Sequence, residues 1–246
     1  MTYNDDREYL EFLLSNKVLI TTEEFQKYDR LPATVLHEQD WPAINATYQR
    51  EKVAVIDNFL NEEFADRLRK FFLFFNNREE RYPDYASINL AKRDAQIWFP
   101  LMTNITEECK ERMPFLHGRE FDRSWAFIYN NQSGGVPMHA DPAAININFW
   151  VTPDSSMNLA DGVNGLDIWK IYPPADWGYG RYNSQSPESM QQVKEFMVAN
   201  APAKQRIAYK FNRAVVFDSM FFHQSHPVSS KPGYENRRIN YTLLYK

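Results

Sequence analysis

The 246-residue chain has a single cysteine, Cys109. One thiol closes no intramolecular disulfide, so covalent stapling contributes nothing and the core must hold the fold together. Positive charge is also scarce: 28 Lys and Arg stand against 32 Asp and Glu, a net charge of −4, and no Lys/Arg-rich run occurs. Proteins that grip nucleic acid through its phosphates carry a basic face, so no nucleic-acid partner is expected. No apolar run approaches the roughly 20 residues that span a bilayer. The opening Met1-Thr2-Tyr3-Asn4-Asp5-Asp6 is acidic and polar, the opposite of a secretory leader. A cytoplasmic location without membrane contact is the expectation. Internal repeats and low-complexity segments are lacking too, and nothing demands a second domain.

Aromatic residues are abundant: 18 Phe, 14 Tyr and 6 Trp make up 15% of the chain. They suit a half-buried pleated surface and argue for a core rich in β-structure. The first 50 residues read as a helical extension. Residues 5–16 carry an apolar stripe with acidic residues near the N-terminus, and Thr21-Thr22-Glu23-Glu24 looks like a second helix start. Asp40-Trp41-Pro42 marks a break. Residues 52–57 form a short strand, and Asn61 caps an amphipathic helix running to about Phe75. Another helix is expected over 103–113.

From Arg123 onward the pattern changes to short aromatic and β-branched runs. Strands are expected over 124–129, 144–151, 166–172, 206–211, 214–218 and 237–245. Many short strands with turn chemistry between them predict a sandwich or barrel. The irregular stretch from Pro173 to Pro187 exceeds a simple connector and is a candidate lid or binding loop. A helix follows over 187–198.

The chemistry concentrates in the β-rich half. His139-Ala140-Asp141 is an H-x-D, and in extended chain residues i and i+2 point the same way, so imidazole and carboxylate can converge on one metal. Two His and one carboxylate on one face of a metal, with open positions opposite, is the ligand set of non-haem Fe(II) oxygenases. Alone, an H-x-D is as compatible with an ordinary surface or core histidine. The downstream context adds weight: Phe217-Asp218-Ser219 leads to His223, then to Pro227-Val228, and a final strand carries Arg237-Arg238. Upstream lie Tyr129-Asn130-Asn131 and Gly134-Gly135.

In this order of motifs, roughly Trp125 to Tyr245 resembles the Fe(II)/2-oxoglutarate-dependent oxygenase superfamily; the N-terminal half carries no motif that can be placed. The resemblance implies a mainly β, α+β domain over 1–246. Its core is a double-stranded β-helix (jelly roll) from about residue 123, with the N-terminal and flanking helices packed outside the major sheet. It implies a dioxygenase using Fe(II) as cofactor and 2-oxoglutarate and O₂ as co-substrates, with His139, Asp141 and His223 as metal ligands. One carboxylate and the keto oxygen of 2-oxoglutarate chelate the metal, and the other carboxylate needs a fixed cation, which a guanidinium supplies through two parallel hydrogen bonds.

Two pairs of residues compete for these roles. Arg238 shares a strand face with Asn240, Thr242 and Leu244, whereas Arg237 shares the other with Ile239, Tyr241 and Leu243, which reads as packing against helices. The superfamily's Arg-x-Ser maps onto Arg238-Ile239-Asn240, with Asn in place of Ser, so Arg238 is preferred and Arg237 reads as a solvated or salt-bridged residue. His223 is preferred over His226, which precedes a proline and is biased toward extended linker. His226 then reads as a histidine that supports the site from behind its ligands or lies at the surface.

Other assignments stay open. Tyr129 could reach 2-oxoglutarate or be a core tyrosine. Asn146 and Asn148 suggest a polar inward strand face, with Asn148 and Asn240 the candidate 2-oxoglutarate contacts. Asp218 orders the turn before His223. Asp176, Trp177, Tyr179, Arg181 and Tyr182 could close over a polar substrate or simply pack their own loop. Because halogenases of the superfamily lack the carboxylate ligand, Asp141 points to hydroxylation of a small molecule or an amino-acid or protein side chain. Desaturation, ring formation and epimerisation use the same ligands, and a non-catalytic metal-binding jelly roll is the alternative outside enzymes.

Overall fold

The computed structural model describes residue 11 and residues 34–74, 80–81, 84–91, 100–184 and 186–246. The expected helices over 5–16 and from Thr21 fall, apart from Glu11, outside them. The helices of these segments are α1 (Trp41–Glu51), α2 (Glu62–Phe74), α3 (Pro100–Arg112), α4 (Tyr179–Tyr182) and α5 (Pro187–Asn200). The strands are β1 (Val53–Ile56), β2 (Glu80–Arg81), β3 (Tyr85–Ala91), β4 (Phe121–Tyr129), β5 (Gln132–Ser133) and β6 (Ile145–Trp150). They continue with β7 (Leu166–Trp169), β8 (Lys204–Ile207), β9 (Ala214–Asp218), β10 (Phe222–Ser225), β11 (Val228–Ser229) and β12 (Ile239–Tyr245).

Seven strands form a major sheet in the order β1-β9-β6-β12-β4-β3-β2, and a minor sheet runs β10-β7-β8, with β11-β5 as a separate pair. Every pairing is antiparallel. This is a double-stranded β-helix. The strand expected over 52–57 is β1, and with β2 and β3 it extends the major sheet to residues before 123.

The central strands explain the layering. All seven residues of β12 are buried, because both faces are covered. One face packs against helices: Ile128 of β4, Ile147 and Phe149 of β6, Val216 of β9, and Tyr241 and Leu243 of β12 meet Phe64, Leu68 and Phe72 of α2 and Ile105 and Cys109 of α3. The other face looks toward the minor sheet, where Trp150, Val215 and Phe217 pack on Leu166, Ile168, Ile207 and Phe221. Each of the larger side chains here removes apolar area worth roughly 1.5–3 kcal/mol from water. The period of two therefore sorts residues between an apolar outer layer and the space between the sheets.

Two expectations need correction. Asp40-Trp41-Pro42 is a helix start, not a break: Asp40 Oδ1 accepts from the Ala43 amide (3.1 Å) and Pro42 lies in the first turn, where a missing N–H costs nothing. The strands expected to reach Tyr172 and Phe211 stop at Trp169 and Ile207. The chain beyond Ile207 turns at Asn212, a buried residue with φ +57°.

Asn212 ties the turn to the rest of the core. Its side chain accepts from the Leu60 amide (2.9 Å) and donates to the Leu60 carbonyl (2.7 Å). Asn tolerates the left-handed region better than other L residues. Asn212→Ala loses both buried bonds and adds backbone strain, so it should cost about 2–4 kcal/mol. Asn212→Gly, free of the strain, should lie between Ala and wild type. Urea unfolding midpoints test the order; an Ala variant as stable as wild type would contradict it.

Candidate metal and co-substrate site

His139 and His223 stand directly opposite each other as an antiparallel backbone pair, exchanging N–H···O bonds of 3.0 and 2.8 Å. Side chains of directly opposite residues leave the sheet on the same side, and here the ring centroids are 4.4 Å apart. Asp141 lies two residues beyond His139, its amide held by the Ser219 carbonyl (3.0 Å). Its carboxylate oxygens lie 3.7 Å from His139 Nε2 and 3.5 Å from His223 Nε2. One ligand atom from each residue falls within 4.8 Å of the others, the spacing of a set that could hold one metal ion.

The surroundings tune this set. His139 Nδ1 donates to the Pro137 carbonyl (2.7 Å) and His223 Nδ1 to the Phe221 carbonyl (2.9 Å). A carbonyl only accepts, so each ring keeps its proton on Nδ1 and turns the Nε2 lone pair inward. Burial, reinforced by the neighbouring His223 ring, pushes the His139 pKa down to about 4, leaving it neutral at physiological pH. Burial works to raise the Asp141 carboxyl, but the histidines and the Asn183 amide outweigh it and hold the group below its usual range. Asn146 Nδ2 donates to Asp141 Oδ2 (3.1 Å) and Asn183 Nδ2 to Oδ1 (3.2 Å). Two inward-facing imidazole lone pairs and an ionised carboxylate are the chemistry of a divalent transition-metal site.

The same cavity is lined by Arg238, Tyr129, Asn148, Asn240 and Thr242 together with His139, Asp141 and His223. The seven residues that the sequence reading assigned to metal or 2-oxoglutarate, with Thr242, thus border one space. Arg238 is fully buried, and its Nε and Nη1 find no acceptor. Its guanidinium carbon lies 4.8 Å from the Tyr129 ring centre, with Trp150 at 5.6 Å and Tyr209 at 5.9 Å. Among the described residues no carboxylate pairs with it. Burial lowers its pKa while the Tyr129 and Tyr209 hydroxyls oppose that shift; an arginine stays charged regardless. Asn148 donates to Thr242 Oγ1 (2.9 Å), and Asn240 Oδ1 is buried without a partner.

Several residues fall elsewhere. Arg237 is buried, not solvated, with its guanidinium over the Tyr234 ring at 5.1 Å. His226 is neither at the surface nor beside the metal ligands: it is buried with Nε2 2.9 Å from Asp167 Oδ1 on β7. Asp218 accepts from the Met220 amide (3.1 Å) and the Tyr172 hydroxyl (2.8 Å), ordering the turn before His223. In the 173–187 loop, Trp177 packs on Phe196 (5.3 Å) under Arg181 (4.3 Å), and Tyr182 is buried. Of that cluster, Tyr179 borders a cavity beside the triad, with Asn183 and Ser184. The sequence reading missed Asn183 altogether, since one asparagine in a long loop carries no signal. It also missed Ser225, whose Oγ accepts from the Val136 amide (2.6 Å) at the cavity edge.

This fold, with two histidines and a carboxylate between its sheets, defines a class: a double-stranded β-helix with a His-Asp-His set that could hold a metal ion. No protein-family model and no curated protein match the sequence. Solved structures do match the fold. The non-haem α-ketoglutarate-dependent epimerase SnoN from nogalamycin biosynthesis superposes with a TM-score of 0.58 at 12% identity, covering 83% of this chain and 82% of SnoN. A 2OG-Fe(II) oxygenase family oxidoreductase from Burkholderia pseudomallei matches at 0.52 and 10%, over 87% of this chain and 95% of that one. A Pseudomonas putida prolyl-4-hydroxylase matches at 0.50 and 12%, over 84% and 98%. SnoN has also been solved with Fe3+, α-ketoglutarate and nogalamycin RO. The chain therefore has the fold of 2-oxoglutarate- and iron-dependent oxygenases.

A buried cation without an anion is unfavourable. Replacing Arg238 with Met, similar in length and uncharged, should leave the ligand-free protein as stable as wild type or about 1–3 kcal/mol more stable. Thermal and urea unfolding measure this. A destabilisation as large as a core truncation would mean the guanidinium is structural.

Proposed function

We propose that this chain is an Fe(II)- and 2-oxoglutarate-dependent dioxygenase that hydroxylates an unactivated C–H bond of a small molecule or of an amino-acid or protein side chain. The observation that carries the reading is the joint lining of one cavity by a metal-competent triad and a buried guanidinium whose Nε and Nη1 have no acceptor and which no carboxylate pairs among the described residues. A triad alone would suit many metal sites. A buried arginine without a carboxylate calls for an anionic ligand beside the metal, and a keto diacid supplies one.

His139, Asp141 and His223 would hold Fe(II) through Nε2, a carboxylate oxygen and Nε2. Arg238 would take the distal carboxylate of 2-oxoglutarate in paired charge-assisted bonds, with the Tyr129 hydroxyl beside it and the Asn148 and Asn240 amides completing the polar lining. When bound, iron and 2-oxoglutarate supply O₂ activation coupled to oxidative decarboxylation. In balance, substrate C–H, 2-oxoglutarate and O₂ give substrate C–OH, succinate and CO₂. The chain's own work is positional. The carbonyls of Pro137 and Phe221 fix the histidine tautomers, Asn146 and Asn183 aim the carboxylate, and Trp125, Phe127 and Val136 keep the inner cavity apolar at its edge.

The whole chain, residues 1–246, then acts as one oxygenase domain. The intact triad and an Arg238 with no carboxylate partner among the described residues favour this over a non-catalytic metal-binding jelly roll, which has no use for an unpaired cation. SnoN, an epimerase, shares the fold, so product mass rather than ligand identity distinguishes the reaction types.

Metabolite and peptide panels should reveal a substrate-dependent release of succinate that requires Fe(II), 2-oxoglutarate and O₂, with a product heavier by one oxygen. Asp141→Ala should abolish it by weakening iron binding, and Arg238→Met should raise the 2-oxoglutarate requirement at least tenfold. An unchanged product mass would point to epimerisation, and a loss of two hydrogens to desaturation or ring closure. Absence of any 2-oxoglutarate turnover with saturating iron would reject the enzyme reading.

A further inference from the structure

A second cavity of about 160 Å³ adjoins the triad on its outer side and shares His139 and Asp141 with the inner one. An apolar cavity of about 150 Å³ accommodates a benzene ring, so this space suits one ring and its substituents. Part of its lining is aromatic: Tyr85 from β3, and Trp125 and Phe127 from β4, with Tyr85–Phe127 centroids at 4.9 Å and Trp125–Phe127 at 6.2 Å. The polar part comes from α4 and the residues after it: Tyr179, Asn183 and Ser184.

Asn183 joins this cavity to the triad. Its Nδ2 donates to the Ala140 carbonyl (2.6 Å) and to Asp141 Oδ1 (3.2 Å). Both partners are acceptors, so the amide nitrogen must face them and the orientation is set by chemistry. The two amide protons are thereby used. Asn183 Oδ1 accepts no hydrogen bond from any described residue, on a side chain that borders the outer cavity. The other oxygen of Asp141 is held by Asn146, so the carboxylate is clamped from both ends, once from the sheet and once from the loop.

We infer that Asn183 is a positioning residue that couples occupancy of the outer cavity to the metal carboxylate, and that the substrate is a ring-bearing molecule with an O–H or N–H donor for Asn183 Oδ1. A donor on Oδ1 polarises the amide and strengthens its N–H bonds to Asp141, as linked hydrogen bonds do. The aromatic lining takes the face of the ring and Asn183 reads its edge. This rests on the metal assignment given above.

Mn(II) titrations of wild type, Asn183→Leu and Ser184→Ala test the first half, with Asn183→Ala in reserve should the larger side chain disturb the fold. Loss of the clamp should weaken Mn(II) binding roughly 10–100-fold, whereas Ser184→Ala, which borders the cavity without touching Asp141, should bind as wild type. The visible spectrum of the Co(II)-loaded protein tests the second half. Benzyl alcohol should perturb it and ethylbenzene, of the same shape without a donor, should not; the Asn183 variants should show neither response. Wild-type Mn(II) affinity in the Asn183 variants, or equal effects of the two probes, would overturn the inference while leaving the metal site standing. Failure of wild type itself to bind Mn(II) would overturn the metal assignment, and this inference with it.

Discussion

The two backbone hydrogen bonds between His139 and His223 are the constraint on which the site depends. They place residues far apart in sequence directly opposite each other, so both imidazoles leave the backbone on one side and Asp141 follows within reach. The register is not free to slip. β10 pairs with β7 from Phe222↔Trp169 to Ser225↔Leu166, and β7 pairs in turn with β8. Slipping by one residue would turn His223 to the opposite face and bury a different set against Trp150 and Phe217. His226, one residue past the end of β10, is buried against Asp167 of β7, with Lys204 and Arg206 of β8 at 3.3 Å from the Asp167 carboxylate. This pair helps to fix the end of β10 against β7.

Around that constraint the fold sorts polarity by strand face. In β6 the residues Ile145, Ile147 and Phe149 join the helix-facing core, whereas Asn146 and Asn148 line the cavity. In β12, Tyr241 and Leu243 face the helices, and Asn240 and Thr242 line the cavity beyond Arg238. A purely apolar interior would be more stable. The asparagines, the lone guanidinium and the unpartnered Asn240 oxygen are local departures from good packing, concentrated where a ligand would satisfy them.

This sorting is also why much of the site was legible in the sequence. Period-two alternation in Arg238-Ile239-Asn240-Tyr241-Thr242 separates the inward from the helix-facing residues without any coordinates, and it decides Arg238 against Arg237. Asn146 and Asn148 stood out because asparagine is disfavoured in strands; their division of labour, Asn146 on Asp141 and Asn148 on Thr242, depends on three-dimensional register and was not readable. β3 was missed because Tyr-Ala-Ser-Ile-Asn-Leu-Ala mixes weak strand formers, and it is held by pairing with β4 along its length. Asp40-Trp41-Pro42 was misread because a proline breaks a helix from within yet begins one at its first turn. Asn183 lay beyond reach, since its significance comes from two acceptors on a segment distant in sequence.

The central claim is that one cavity binds a metal and a dicarboxylate together. Calorimetric titration of 2-oxoglutarate into metal-free and Mn(II)-loaded protein tests it directly. The account requires binding to the Mn(II)-loaded protein at least tenfold tighter than to the metal-free protein, since chelation and Arg238 then act on the same molecule. Equal affinity with and without Mn(II), or no binding in either state, would contradict it.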